Sequence, residues 1–96
     1  MLLIRPNCEH CNKSLPNTSS EDMICSFECT YCKTCAIEIF KNVCPSCSGN
    51  FVEHPIRPLK MVEKYPASTK EIYKPKNLED VKKNSNRYKN INPTER

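Results

Sequence analysis

The sequence predicts a small metal-stabilised α+β module with short strands and one short helix over residues 1–54. A basic Pro/Asn/Lys-rich tail, mostly extended or disordered, follows over residues 55–96. Three observations lead there. Of 96 residues eight are cysteines, all between Cys8 and Cys47, so one position in five of that stretch is a thiol. Most large apolar residues lie between Leu2 and Val52, and about 55 residues is near the lower limit for folding on apolar burial alone. From Pro55 to Arg96 eleven Lys/Arg face five Asp/Glu, a surplus of +6, whereas residues 1–54 hold four against six, or −2.

So many thiols imply disulfides or metal. Disulfide frameworks belong to exported chains, which open with a basic segment, an apolar stretch and a small-residue cleavage site. Here Met1-Leu-Leu-Ile4 runs straight into Arg5-Pro6, and no run approaches the roughly 18 apolar residues of a membrane helix. The expectation is a reducing cytoplasmic setting, no membrane, and metal in place of disulfides. Energetics agree. Ordering a residue costs about 1.5 kcal/mol, which a core this small only cancels, while a structural zinc contributes about 10 to 16 kcal/mol of folding energy.

Along the chain, Leu2-Leu3-Ile4 and Phe51-Val52 are expected as short strands closing the core. Ala36-Ile-Glu-Ile-Phe-Lys-Asn-Val43 lacks Gly and Pro and directly follows a cysteine pair, so it predicts a two-turn helix that packs Ile37, Phe40 or Ile39 inward. Gly49, the only glycine, is expected in a turn at positive φ. Pro55, Pro58, Pro66 and Pro75 fix their own φ and push their predecessors out of the helical region, which argues against a helix in the first half of the tail. Between Asn77 and Tyr88 a short helix is expected, capped by Asn77, with Glu79-Asp80 in its first turn and Leu78 and Val81 three apart. The tail is either solvated or folded back on its own module.

The cysteines form four close pairs: Cys8-x-x-Cys11, Cys25-x-x-x-Cys29, Cys32-x-x-Cys35 and Cys44-Pro-Ser-Cys47. A two-residue gap turns the chain tightly enough to aim both sulfurs at one zinc about 2.3 Å away, and backbone N–H groups in the turn offset the thiolate charge. Eight ligands with none left over predict two structural Zn²⁺ in Cys₄ sites. Such sites are closed, whereas a catalytic zinc keeps one position for water or substrate. No catalytic triad, phosphate-cradling loop or paired carboxylates accompany them, so no enzymatic activity is expected. With eight thiolates and two Zn²⁺ the module reaches −6, an acidic head on a basic tail. His10 and His54 are the only histidines. Neither is needed as a ligand: His10, inside the first pair, is expected to face solvent, and His54 is the better substitute. Lys33 and Lys41 lie close enough in sequence to soften the thiolate charge.

In order and gap, the ligand positions from 8 to 47 resemble the cross-braced RING finger and its treble-clef relatives. The resemblance implies interleaved sites, with Cys8, Cys11, Cys32 and Cys35 on one zinc and Cys25, Cys29, Cys44 and Cys47 on the other. Pro45 matches the RING pattern. Cys29 stands where that pattern has His, Asn12 where it has an apolar residue, and Ser48 where RING ligases place a basic residue for the ubiquitin-conjugating enzyme. The metal scaffold is carried over and the ligase surface is lacking. Arg5-Pro-Asn-Cys8-Glu, Ile24-Cys-Ser-Phe-Glu-Cys-Thr-Tyr-Cys32 and Cys44-Pro-Ser-Cys47 are similar to a small bacterial family, domain of unknown function family 1272, from Met1 to about Pro58. That likeness implies a bacterial cytoplasmic origin and adds no activity.

The leading functional expectation is a zinc-stapled platform for a protein partner, or for nucleic acid through the basic tail, with no small-molecule substrate. The alternative is a thiol-based redox or zinc sensor, in which oxidation ejects the metal. An iron–sulfur carrier stays open behind these, because the run from Cys25 to Cys35 has the gaps of a ferredoxin motif in reverse order.

Overall fold

Two short strands, β1 (Asp22–Ile24) and β2 (Thr30–Cys32), form an antiparallel hairpin in which Met23 faces Tyr31 and Ile24 faces Thr30. Every residue of both strands is buried. β3 (Val52–Glu53) pairs with the other edge of β1, giving the order β2-β1-β3. This arrangement comes from a computed structural model, which describes residues 2–96.

The expected strand at Leu2–Ile4 is absent, because its carbonyls are taken by other partners. Leu2 accepts from Arg57 Nη2 (2.8 Å), Leu3 from His54 Nε2 (3.1 Å) and Ile4 from the Ser68 N–H (2.9 Å). Ile4 is buried nonetheless. Phe51-Val52 does feed a strand, shifted by one residue to Val52–Glu53.

The helix expected over Ala36–Val43 is instead a π-helical segment, Thr34–Ile39. Its wide turn is marked by the Phe40 N–H donating to the Cys35 carbonyl, five residues back, at 2.8 Å. Two consecutive left-handed residues, Lys41 (φ 54°) and Asn42 (φ 60°), then stop it. The Asn42 N–H returns to the Ala36 carbonyl (2.9 Å), a closure of the Schellman kind. Phe40 is the inward residue, fully buried, whereas Ile37 is 41% exposed.

Phe40 packs edge-on against Tyr31 at 4.8 Å between ring centres, and Tyr31 against Phe51 at 5.6 Å. These rings, Leu15 and Met23 form one continuous core with the buried cysteines. Offset and edge-to-face geometries suit the quadrupoles of the rings.

The tail holds more helix than expected. α1 (Leu59–Lys64) lies in the stretch where prolines argued against a helix. The prolines bracket it instead of interrupting it: Pro58 sits at the N-cap, its carbonyl accepting from Met61 and Val62, and Pro66 follows the end. α2 (Leu78–Tyr88) starts as predicted, with Asn77 Oδ1 accepting from the Glu79 and Asp80 N–H groups. A single 3₁₀ turn, Pro93–Glu95, follows.

The tail also folds back along the module. Asn7 Nδ2 donates to the Ile72 carbonyl (2.9 Å), the Lys74 N–H to the Glu9 carbonyl (2.8 Å) and the Lys76 N–H to His10 Nδ1 (3.0 Å). Val81 of α2 is buried and belongs to the core. Among the described residues no helix is long and apolar enough to cross a membrane.

Candidate metal centre

The Cys8–Cys11 and Cys44–Cys47 turns share one hydrogen-bond pattern. After each, a left-handed residue reverses the chain: Asn12 (φ 64°) in the first and Ser48 (φ 65°) in the second. In both turns that residue's N–H donates to the carbonyl of the first cysteine, Asn12 to Cys8 (3.0 Å) and Ser48 to Cys44 (2.8 Å). The first cysteine's N–H closes the loop on the residue after the left-handed one, Cys8 on Lys13 (2.9 Å) and Cys44 on Gly49 (2.8 Å). Each turn thereby aims two sulfurs the same way. Positive φ thus falls on Ser48, not on Gly49 as expected. Gly49 matters for space, because a Cβ there would sit 3.3 Å from Cys47 Sγ.

The other cysteines come from the sheet. Cys25 and Cys29 flank the β1–β2 turn, where Glu28 is also left-handed (φ 64°) and donates its N–H to the Cys25 carbonyl at 3.1 Å. Cys32 ends β2, and Cys35 lies in the first turn of the π-helical segment.

The fold gathers Cys8, Cys11, Cys32 and Cys35 into one group and Cys25, Cys44 and Cys47 into another, the Sγ atoms of each lying within 4.8 Å of one another. Cys29 stands just outside the second group, its thiol interacting with those of Cys25 and Cys44. Each group joins thiols distant in sequence, in the interleaved order that the RING resemblance implies. Four sulfurs held about 2.3 Å from a central ion at tetrahedral angles would be roughly 3.8 Å apart. Cys11 and Cys32 are 3.7 Å apart, the spacing that such an ion would set for that pair.

The thiols of each group also compete for charge. Burial pushes the Cys11 thiol up, but hydrogen bonds from the Lys13 N–H and neighbouring thiols outweigh it and bring the pKa down. Cys32 and Cys35 in the same group are driven up, chiefly by burial. In the second group the hydrogen bond with Cys44 lowers Cys25 to about 5, the same bond raises Cys44, and burial lifts Cys29 to about 11. One thiolate suppresses the next when no cation is near, and a divalent ion reverses that by favouring every ionised sulfur. These all-sulfur donor sets could hold a soft or borderline metal ion.

The comparisons with known proteins bear on the same residues. Residues 1–57 match the family described as "Protein of unknown function (DUF1272)". The chain belongs to this family. A protein of Rhizobium meliloti (strain 1021), described as "Uncharacterized protein R02474", is 51% identical over 75 residues, which cover 78% of this chain and 89% of that protein. No solved structure matches. All eight cysteines fall inside the family region, whereas the tail from Pro58 onward, with α1 and α2, lies beyond it.

Neither histidine of the family region joins a thiol group. His10 is only partly exposed, its ring edge-on to Phe40 at 5.1 Å, and burial followed by the Lys76 charge lowers its pKa. His54 is buried, with its nitrogens on the Pro55 and Leu3 carbonyls at 2.8 and 3.1 Å. Lys33 pairs with Glu53 at 3.9 Å. Three residues that hold the second turn, Asn42, Asn84 and Arg96, carry no signal in the sequence. Asn42 Oδ1 accepts from the Phe51 N–H (2.8 Å), Asn84 Nδ2 donates to the Cys44 carbonyl (3.4 Å), and Arg96 Nη1 donates to the Ser48 carbonyl (3.0 Å). A short gap between cysteines marks a ligand pair, but nothing local marks the side chain that braces it from forty residues away.

Proposed function

We propose that this chain is a two-zinc structural module of the cross-braced, treble-clef kind that serves as an interaction platform and has no catalytic role. The observation that supports the reading is the gathering of sequence-distant thiols into two separate groups, with Sγ atoms within 4.8 Å in each. Cys8, Cys11, Cys32 and Cys35 would hold one ion, and Cys25, Cys29, Cys44 and Cys47 the other. Bound there, zinc supplies folding energy. Four thiolates per ion leave no coordination position for a substrate. The test is elemental analysis of protein purified without added metal. Two equivalents of zinc are expected, and fewer, or coloured protein containing iron and sulfide, would sink the reading.

A platform needs an uncovered surface. Ile37, 41% exposed, borders a shallow groove with Glu21, Lys33, Thr34 and Glu38, and Phe27 at the β1–β2 turn is 75% exposed. Apolar groups rimmed by charge suit a protein partner. The exposed lysines of the tail favour nucleic acid as the other class of partner. Binding through them must weaken steeply with added salt, and salt-independent binding would exclude the tail.

A sensor role is the second reading, favoured by one feature: Cys11 is the exposed member of its group. An accessible sulfur is where peroxide attacks first. Retention of both ions under mild peroxide would remove this reading.

A further inference from the structure

The two cysteine turns share a backbone pattern but are held in different ways. In the first, the left-handed position is Asn12, a residue type that tolerates this conformation. Its Oδ1 accepts from Asn7 Nδ2 at 2.9 Å, so a neighbour in the same module fixes it. In the second turn the position is Ser48, which has no such tolerance, and its side-chain and carbonyl contacts come from the tail. The Ser48 hydroxyl donates to Asn84 Oδ1 (3.2 Å), and its carbonyl accepts from Arg96 Nη1 (3.0 Å). The same Arg96 nitrogen donates to the Asn42 carbonyl at 3.1 Å. One guanidinium therefore ties together the two left-handed residues, Asn42 and Ser48, that bracket Cys44 and Cys47. Asn84 adds a bond to the Cys44 carbonyl, which the Ser48 N–H also uses. Val81 and Ser85, both buried, anchor α2 beside this turn.

We infer that Asn84 and Arg96 form a strap that holds the Cys44–Cys47 turn closed, so that these two side chains govern ion release from the second thiol group and not from the first, whose turn the tail meets through Ile72, Lys74 and Lys76 instead. The inference rests on the two-ion reading above. The segment beyond the family region thereby controls the lifetime of one site. Opening the strap frees Ser48 to leave its left-handed conformation, and the loop carrying two of the second group's thiols can then swing away. The first group keeps Asn7 and Asn12 and has no side-chain bond to Asn84 or Arg96.

The experiment follows zinc transfer from the native protein to a chromophoric chelator and maps which cysteines become open to alkylation. In the Asn84→Ala/Arg96→Ala protein, which loses Arg96's bonds to the Asn42 and Ser48 carbonyls and Asn84's bonds to Ser48 and Cys44, one of two zinc equivalents should leave at least about tenfold faster, tenfold being about what a single charge-assisted hydrogen bond is worth. Alkylation should appear first at Cys25, Cys29, Cys44 and Cys47, with Cys8, Cys11, Cys32 and Cys35 still protected. Arg57→Ala is the control, since Arg57 ties the Leu2 and Tyr65 carbonyls instead, and it should release both ions as the parent does. Should the double variant not fold, Arg96→Ala alone carries the same comparison. Unchanged release, or equal acceleration of both ions, overturns the strap. A parent protein lacking two zinc equivalents overturns the two-ion reading, and the strap falls with it, a result distinguishable from the first.

Discussion

Lys41 is exposed and left-handed, with φ 54°, a conformation that costs a non-glycine residue about 1 to 2 kcal/mol. It follows the π-helical segment where glycine is the usual stop. Lys41→Gly is expected to stabilise the zinc-loaded protein by up to about 1 kcal/mol and to raise its thermal midpoint by a few degrees; a lower midpoint would mean that the lysine side chain makes a stabilising contact. Gly49→Ala acts in the opposite direction. Its new Cβ meets Cys47 Sγ at 3.3 Å, so the sulfur must shift by a few tenths of an ångström and the second group should hold zinc less well in chelator competition, while the first is unaffected. Asp22 is a different case, because burial raises its pKa above the ordinary 3.8 despite the Ser19 hydrogen bond, and Oδ1 has no partner. The folded chain thus binds this proton more tightly than the unfolded chain does. Its contribution is complete below the ordinary value and is lost as pH climbs through the raised one. Asp22→Asn should therefore be more stable than the parent at neutral pH, by about 1 kcal/mol in urea titration, with no gain expected where the carboxyl is already protonated.

At the scale of elements, α2 is legible in the sequence because capping is local: Asn77, two acidic residues and Val81 stand in order, and the hydrogen bonds follow. Asn77→Ala should cost α2 about 1 kcal/mol and show as faster amide exchange across residues 78–88, with β1 and β2 unchanged. Equal exchange in both proteins would mean that Val81 and the Asn84 bonds alone hold the helix. α1 is hidden because prolines at 58 and 66 read as breakers, although one stands at the cap and the other past the end. β1 and β2 carry no readable alternation, since three residues each is too short for a period of two to show. The cysteine gaps, by contrast, announce both turns and, through the RING likeness, the interleaved grouping. The expected strand at Leu2–Ile4 fails where tertiary partners, His54, Arg57 and Ser68, claim the carbonyls a ladder would have used.

Across the whole molecule, both thiol groups contribute to the core, with Cys8, Cys25, Cys32, Cys35 and Cys44 packed among Tyr31, Phe40 and Phe51 while Cys11 is exposed. No separate apolar nucleus would survive if the sulfurs repelled one another. Stripping metal at neutral pH would remove the folding energy that each ion supplies, about 10 to 16 kcal/mol for a structural zinc. The tail fails with the module, because α2 has only Val81 and Ser85 buried and borrows its remaining hold from the Cys44–Ser48 turn. Loss of ions should therefore unfold the entire chain in one step. The Cα radius of gyration of the folded chain is 13.6 Å, whereas an unfolded chain of this length approaches about 30 Å. Small-angle scattering after treatment with a strong chelator should move most of that distance and return when zinc is restored. A stripped chain that kept its compact radius, with amide exchange in β1 and β2 still slow, would mean that apolar burial alone suffices and that the thiols are not what holds the fold.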